Sequence, residues 1–114
     1  MISTCVRMTV EWLIPAGQTR AITTALHSMA EDVRSVQSCI TCSVSSDARS
    51  RGLVRYVEEW ESEDDLRHRV QSPAFRHMLT LMEDSAQPPR VEFTLGQATR
   101  GREFLQQLRS QSRR

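Results

Sequence analysis

The chain has 114 residues, of which 39% are hydrophobic and 25% charged, and its formal net charge is +1. This composition is typical of one soluble globular domain with its own core, and the small charge favours neither nucleic acid nor membrane as a partner. No apolar run approaches the roughly 20 residues that cross a bilayer, and no signal segment opens the chain, so we expect a cytoplasmic protein.

The first 36 residues predict a strand followed by a helix. Residues 4–14 alternate in polarity, which is typical of a half-buried β-strand. The apolar side of this strand consists of Val6, Met8, Val10, Trp12 and Ile14. Residues 18–36 repeat instead with the period of a helix. The apolar stripe of this helix consists of Ile22, Ala25, Leu26, Met29, Val33 and Val36.

A second strand, predicted at residues 39–45, carries two of the three cysteines, Cys39 and Cys42. Their C-x-x-C spacing could indicate a redox or metal motif. In a strand, however, positions i and i+3 point to opposite faces about 10 Å apart, beyond disulfide reach. A second cysteine or histidine pair at ligand spacing is also missing, so we expect reduced structural cysteines and no metal. Residues 46–52 predict a polar hairpin loop.

A third strand is predicted at residues 53–61, which are rich in β-branched and aromatic residues. One side of this strand carries Val54, Tyr56, Glu58 and Trp60. The other side alternates apolar and charged residues. Since neither side is purely apolar, the side with Glu58 could line a cavity rather than a dry core.

Two helix-start signals follow the third strand. Ser62 can accept a hydrogen bond from the first helical turn, and the acids at residues 63–65 suit the positive end of the helix dipole. Pro73 suits the first position of a helix and disfavours helix at Ser72. We therefore expect a break near Gln71 and a second helical segment beyond it. The apolar stripe of that segment consists of Phe75, Met78, Leu79 and Met82.

The C-terminal part predicts a fourth strand at residues 91–95 and, after Gly101, a short amphipathic helix. The apolar residues of these elements are Val91, Phe93 and Leu95, and Phe104, Leu105 and Leu108. The end of the chain, residues 110–114, is expected to fray. We divide the chain into a main domain, residues 1–100, and a C-terminal segment and tail, residues 101–114.

The predicted order β-α-β-β-α-β, with a short C-terminal helix, indicates an α+β, ferredoxin-like fold. Its long helices would cover one face of an antiparallel sheet. Several strands place apolar residues on both faces, so the second face also needs a cover. A second copy that packs sheet against sheet is the economical solution, and we predict a homodimer.

Several segments resemble the antibiotic biosynthesis monooxygenase superfamily. They are LVRYVEEWES at 53–62, DLRH at 65–68 and SPAF at 72–75, preceded by SCITCSV at 38–44. The region 90–105 is similar to the last strand and tail of one bacterial subgroup. This resemblance implies a dimeric α/β-barrel. The superfamily includes cofactor-free oxygenases of quinols and polyketide aromatics, haem-degrading enzymes, and proteins without a known activity.

The chain departs from this family in two places. Members often carry a histidine three residues before the serine of the S-P-x-F motif, but here that position is Arg69 and His68 stands one residue earlier. The haem-degrading branch uses an asparagine, a tryptophan and a histidine. This chain has no asparagine, and Leu79 occupies the position of the haem-ligating histidine. We therefore expect no haem degradation.

The first functional hypothesis is a cofactor-independent monooxygenase that oxidises a quinol-like or polycyclic phenol with O2, without metal or cofactor. A base would deprotonate the phenol, whose anion would then pass an electron to O2. The candidate catalytic residues are Glu58, His68 and His77. The candidate substrate-binding residues are Trp12, Tyr56, Trp60 and Arg69. We expect the site between the helices and the sheet, near the ends of strands one and three.

The second hypothesis is a non-catalytic dimeric protein that binds a small hydrophobic ligand, and the displaced histidine motivates it. Each candidate residue also has a structural alternative. Trp12 and Trp60 would suit the core or the dimer interface, and Glu58 could be solvated or paired with an arginine. His68 and His77 could be exposed or hydrogen-bonded within the fold.

Overall fold

A computed structural model describes residues 5–47, 52–85, 87–96 and 98–111 of the chain. Residues 48–51 of the predicted loop and residues 112–114 of the predicted tail lie outside the described residues. The elements are β1 (Val6–Leu13), a 3-10 turn (Ala16–Gln18), α1 (Thr19–Arg34), β2 (Cys39–Ser46), β3 (Leu53–Trp60), α2 (Glu63–Gln71), α3 (Phe75–Glu83), β4 (Arg90–Leu95), β5 (Ala98–Arg100) and α4 (Glu103–Ser110).

The five strands form one antiparallel sheet in the order β2-β3-β1-β4-β5. This arrangement confirms the predicted α+β, ferredoxin-like fold and its C-terminal helix. The short edge strand β5 was not predicted. It exists because Gly96, at φ +62, turns the chain back along β4. Among the residues that the structure describes, no helix is both long enough and apolar enough to cross a membrane.

The core lies between one face of the sheet and the helices. The predicted apolar side of β1 is fully buried, as is the side of β3 that carries Glu58. On α1 the buried residues are Leu26, Met29, Ala30 and Val33. The predicted inward face of β1 is confirmed, as are Leu26, Met29 and Val33 of the α1 stripe, whereas Val36 of that stripe is exposed. These faces follow from the period of two in strands and 3.6 in helices.

Strand β2 contains a β-bulge that the sequence pattern did not indicate. The register shifts between Cys39 and Thr41, so that Cys39 pairs with Trp60 and Cys42 pairs with Glu58. Trp60 and Glu58 share a face of β3, and the two cysteines therefore share the corresponding face of β2. The argument that placed them on opposite faces is wrong. No disulfide joins them.

The predicted break between the two helical segments is confirmed at Ser72. The residue is extended, with φ −71 and ψ 151, because the Pro73 ring disfavours helix there. Its backbone N–H and its hydroxyl both donate to the carbonyl of Arg69, at 3.1 and 2.6 Å. The predicted cap at Ser62 is confirmed as well, since its hydroxyl accepts from the backbone N–H of Asp65 at 3.1 Å.

The second face of the sheet is polar and charged. Its side chains include Arg7, Thr9, Glu11, Thr41, Ser43, Arg55, Val57, Glu59, Arg90 and Glu92. Arg55 pairs with Glu11 at 2.7 Å, and Arg7 pairs with Glu59 at 3.6 Å. Of the apolar residues expected on this face, Leu13, Leu53 and Val57 are present, but polar and charged side chains outnumber them, and the chain's own helices leave the face open.

Helix α4 shares the core of the main domain. Phe104, Leu105 and Leu108 are buried in the same cluster as the sheet. The side chain of Gln71 donates to the carbonyls of Leu108 and Gln111, at 2.9 and 3.0 Å. In return, the guanidinium of Arg109 donates to the carbonyl of Val70. The ends of α2 and α4 thus cap each other's free carbonyl groups.

Candidate functional site

A half-open cavity of about 610 Å³ lies between α1, the end of β3 and the break from α2 to α3. Its apolar lining consists of Met29, Val33, Val36, Trp60, Pro73 and Ala74. Its polar lining consists of Ser38, Ser72, Asp32, Asp65, His68, Arg69 and His77. A mostly apolar cleft of this size with a few polar groups is typical of a small-molecule site, for which volumes run from about 300 to 1,000 Å³.

The cavity exists because two helices end beside it. Helix α2 stops at Gln71, and Pro73 prevents it from continuing across the opening. On the other side, the apolar stripe of α1 runs past the helix end to Val36, which remains 46% exposed. An apolar side chain that the fold leaves open at a cavity wall provides a surface for an apolar ligand.

The inner end of the cavity rests on a buried carboxylate, Glu58, whose residue is 0% exposed. Its Oε1 accepts from Trp60 Nε1 at 2.9 Å and from Arg69 Nε at 3.2 Å. Its Oε2 accepts from Arg69 Nη2 at 2.9 Å and from the Tyr56 hydroxyl at 2.5 Å. The Cys42 thiol in turn donates to the Tyr56 hydroxyl at 3.3 Å. We call these five residues the Glu58 network.

The Glu58 network holds an ion pair inside the core. Burial alone would lower the pKa of Arg69, but the charge and hydrogen bonds of Glu58 outweigh it and raise that pKa. Burial, followed by the Glu58 charge, raises the pKa of Tyr56 far above its usual range. Arg69 is therefore a cation and Tyr56 a neutral donor, which is the combination that an ionised buried carboxylate requires.

Arg69 is fixed from three directions. Glu58 holds its guanidinium, and the Phe75 ring lies 4.9 Å beneath the same group. Ser72 holds its backbone carbonyl. A guanidinium above an aromatic ring with a bidentate carboxylate partner is pre-organised, so little conformational freedom remains for it to lose when a ligand binds.

Residues 5–81 match the model of the antibiotic biosynthesis monooxygenase family. The chain belongs to this family. No curated protein sequence matches it.

Solved structures show the same fold at low sequence identity. A conserved protein of Methanosarcina mazei is 14% identical with a TM-score of 0.75, over 83% of this chain and 95% of the other. The Shewanella oneidensis protein SO0527 is 20% identical with a TM-score of 0.73, over 81% and 90%. A structure described as an antibiotic biosynthesis monooxygenase is 16% identical with a TM-score of 0.68, over 78% and 95%.

In this member of the antibiotic biosynthesis monooxygenase family, the structure brings four of the predicted site residues to one cavity. Trp60, His68, Arg69 and His77 all line it. Trp60 and Arg69, only 2% and 8% exposed, form the inner wall. Both histidines are exposed at its mouth, on α2 and α3. Among the described residues, neither imidazole has a hydrogen-bond partner.

Glu58 does not line the cavity, and the arginine-paired alternative for it is confirmed. An ionised carboxylate has about four acceptor positions, and Tyr56, Trp60 and Arg69 occupy them. The acceptor positions of the carboxylate are thus taken by donors of the protein itself. Tyr56 is likewise enclosed behind Glu58 and does not line the cavity.

The structure does not bring Trp12 to this cavity. In the antiparallel register Trp60 pairs with Val6, whereas Trp12 pairs with Val54 at the other end of β1 and β3. Trp12 is six positions along the strand from Val6, and six steps of about 3.3 Å correspond to about 20 Å. Trp12 is buried in the core, and its indole N–H donates to the hydroxyl of Ser85 at 3.1 Å. It is not a wall of the same pocket as Trp60.

The sequence analysis missed two acids, Asp32 and Asp65, which line the mouth. Neither forms an ion pair within the part of the chain that the structure describes. Asp65 was recognised only as a helix-capping acid, and Asp32 lies on the polar side of α1, so no local pattern distinguished it. The described residues also contain no group of three or more His, Cys, Asp or Glu side chains that could hold a metal ion.

Proposed function

We propose that this protein is a cofactor-independent monooxygenase that oxidises a quinol-like or polycyclic phenol in the cavity beside Trp60. The observation that carries the proposal is one apolar cleft with an indole and a fixed guanidinium on its inner wall and two histidines at its mouth. The volume of about 610 Å³ suits a fused aromatic ring system. Membership of the monooxygenase family supports the reaction class.

The proposed reaction needs only substrate, O2 and a base. His68 or His77 takes the proton of a phenol hydroxyl, and the phenolate passes one electron to O2. The resulting phenoxyl radical and superoxide combine at a ring carbon and form a C–O bond. The peroxide takes up a proton, the ring carbon loses its hydrogen as a proton, and the O–O bond breaks. One oxygen atom stays as the quinone carbonyl and the other leaves as water.

Arg69 is the proposed site for the phenolate oxygen. The Glu58–Arg69 pair has no net charge, but Arg69 lines the cavity whereas Glu58 does not. The pair therefore turns the positive end of a fixed dipole toward the ligand, and a fixed dipole stabilises a developing anion without rearrangement. Trp60 supplies an aromatic surface for the ring.

One observation favours the second candidate, a non-catalytic protein that binds a small hydrophobic ligand. The two histidines have no orienting partner among the described residues, whereas an effective catalytic base is normally held in place by a third group. The cavity would then bind an aromatic molecule without oxidising it. A second copy of the chain, with its sheet on the charged face, completes either proposal as a homodimer.

The test is dioxygen consumption with a panel of dihydroxynaphthalenes and anthrones. We expect consumption of one O2 per quinone formed, and at least a tenfold loss in kcat/KM for His68→Ala or His77→Ala. His27→Ala is the matched control, because His27 is exposed on α1 and does not line the cavity. If the unmodified protein binds these phenols but consumes no O2, the binding protein is the correct function. If both histidine variants match His27→Ala in rate, neither histidine is the base.

A further inference from the structure

The carboxylate of Glu58 joins two elements that build the inner wall of the cavity. Trp60 ends strand β3, and Arg69 lies in helix α2, eleven residues after Glu58. Both side chains line the cavity, and both donate to Glu58. Glu58 itself is enclosed and does not line the cavity. Glu58 therefore lies behind Trp60 and Arg69, which form the cavity wall.

A buried ion pair does not by itself account for the stability of a core. Replacing a buried ion pair with apolar residues of similar volume is often neutral or stabilising. The inward face of β3 is otherwise apolar or aromatic, with Val54, Tyr56 and Trp60 as its other members. A polar group at the centre of such a face supplies orientation, because its acceptors select one arrangement of the surrounding donors.

We infer that Glu58 is a positioning residue of the cavity, held in turn by Tyr56, and that it sets the orientation of the Trp60 indole and the Arg69 guanidinium. The inference deepens the proposed function, since it concerns the same cavity. The two carboxylate oxygens of Glu58 accept from different donors. Oε1 takes the indole N–H, Oε2 takes the tyrosine hydroxyl, and the guanidinium spans both. The hydroxyl of Tyr56 prevents the carboxylate from turning about its last bond.

The first experiment needs no ligand. In a Trp12→Phe background, Trp60 is the only tryptophan of the chain, so its emission reports the cavity wall. We expect Glu58→Gln and Tyr56→Phe to shift this emission to longer wavelength and to increase its quenching by acrylamide at least twofold. The matched control is Glu83→Gln, which removes an exposed carboxylate at the end of α3 that does not line the cavity. Unchanged Trp60 emission and quenching in both folded variants would overturn the inference.

The second experiment measures the binding of 2-naphthol by calorimetry. We expect Glu58→Gln to weaken binding at least tenfold, Tyr56→Phe about threefold, and Glu83→Gln less than twofold. Trp60→Phe removes the indole N–H but keeps an aromatic ring. If Glu58 acts through Trp60, the two substitutions are not additive. The double variant Glu58→Gln, Trp60→Phe should then bind 2-naphthol no more weakly than whichever single variant has the lower affinity. Strictly additive losses would mean that Glu58 does not act through the Trp60 indole, and the assignment of the indole's orientation to Glu58 would be wrong.

The outcomes separate this inference from the proposed function. Absence of O2 consumption, together with 2-naphthol binding that depends on Glu58, would contradict the monooxygenase and support the positioning role. If the parent protein does not bind 2-naphthol, the emission of Trp60 still decides the positioning role. Should Glu58→Gln not fold, Tyr56→Phe decides it, because that change removes one hydroxyl and keeps the ring; unaltered emission and quenching there would count against the inference.

Discussion

At the scale of single residues, the most informative feature is a charge that lies where an apolar side chain would be expected. Glu58 is completely buried in the centre of the sheet, and an unpaired carboxylate there would cost several kcal/mol. Trp60, Tyr56 and Arg69 compensate this cost with direct hydrogen bonds. Cys42 extends the chain of donors to a second strand. The network therefore links β2, β3 and α2 through polar contacts within an apolar core.

The thiol of Cys42 makes the stability of this network depend on pH. Burial, partly offset by the hydrogen bond to Tyr56, raises the pKa of Cys42 from 9.0 to about 11. Below pH 9 the thiol is protonated in both the folded and unfolded states. Above pH 9 the unfolded state loses the proton first, so stability falls until the pH passes about 11.

We expect urea unfolding to show this loss as a difference between the parent and Cys42→Ala. Between pH 9 and 11 the free energy of unfolding of the parent should fall by up to about 2–3 kcal/mol more than that of the variant, because each pKa unit corresponds to roughly 1.4 kcal/mol. Below pH 8 the difference in free energy of unfolding between the two proteins should not depend on pH, and this range provides the control. Equal pH slopes above pH 9 would contradict the raised pKa.

At the scale of elements, the sequence was sufficient for those features that depend on local period or local sterics. The inward faces of β1 and β3 follow from alternation, and the break at Ser72 follows from the ring of Pro73. The bulge in β2 could not be predicted, because one inserted residue leaves the composition of a strand unchanged. The partner of Glu58 could not be assigned either, because Arg69 meets it only through tertiary packing.

The cap at Ser62 links the stability of α2 to the mouth of the cavity. The serine hydroxyl accepts from the backbone N–H of Asp65 and donates to the Asp65 carboxylate at 2.8 Å. Ser62→Ala should lower the free energy of unfolding by about 1 kcal/mol, which corresponds to roughly 4 °C in Tm. Ser62→Asp should retain most of the stability. Thermal unfolding tests both, with Ser28→Ala on the exposed side of α1 as the control; equal Tm changes for Ser28→Ala and Ser62→Ala would exclude a capping role.

At the scale of the whole molecule, the two faces of the sheet have different chemistry. The inner face is apolar around the Glu58 network, and the outer face carries paired arginines and glutamates. The sequence indicated that this second face would be left open and would carry apolar residues. Leu13 and Val57 do lie there, but charged and polar side chains make up most of the face. A charged face that alternates in sign can still be complementary to its own copy about a two-fold axis.

We propose that the charged face forms the interface of the homodimer, and light scattering should give twice the chain mass of 13.1 kDa at micromolar concentration.

Salt and charge reversal test the location of this interface. Because the side chains of this face are charged and partly exposed, the dissociation constant of the dimer should rise severalfold between 0.05 and 0.5 M salt, as screening shortens the reach of each pair to about one Debye length. Arg55→Glu replaces the partner of Glu11 with a second carboxylate, and we expect this variant to be a monomer because the two like charges repel each other. Arg20→Glu makes the same change of charge on the exposed side of α1 and should remain dimeric. A monomeric parent would exclude the dimer, and a dimer that resists both salt and Arg55→Glu would place its interface elsewhere.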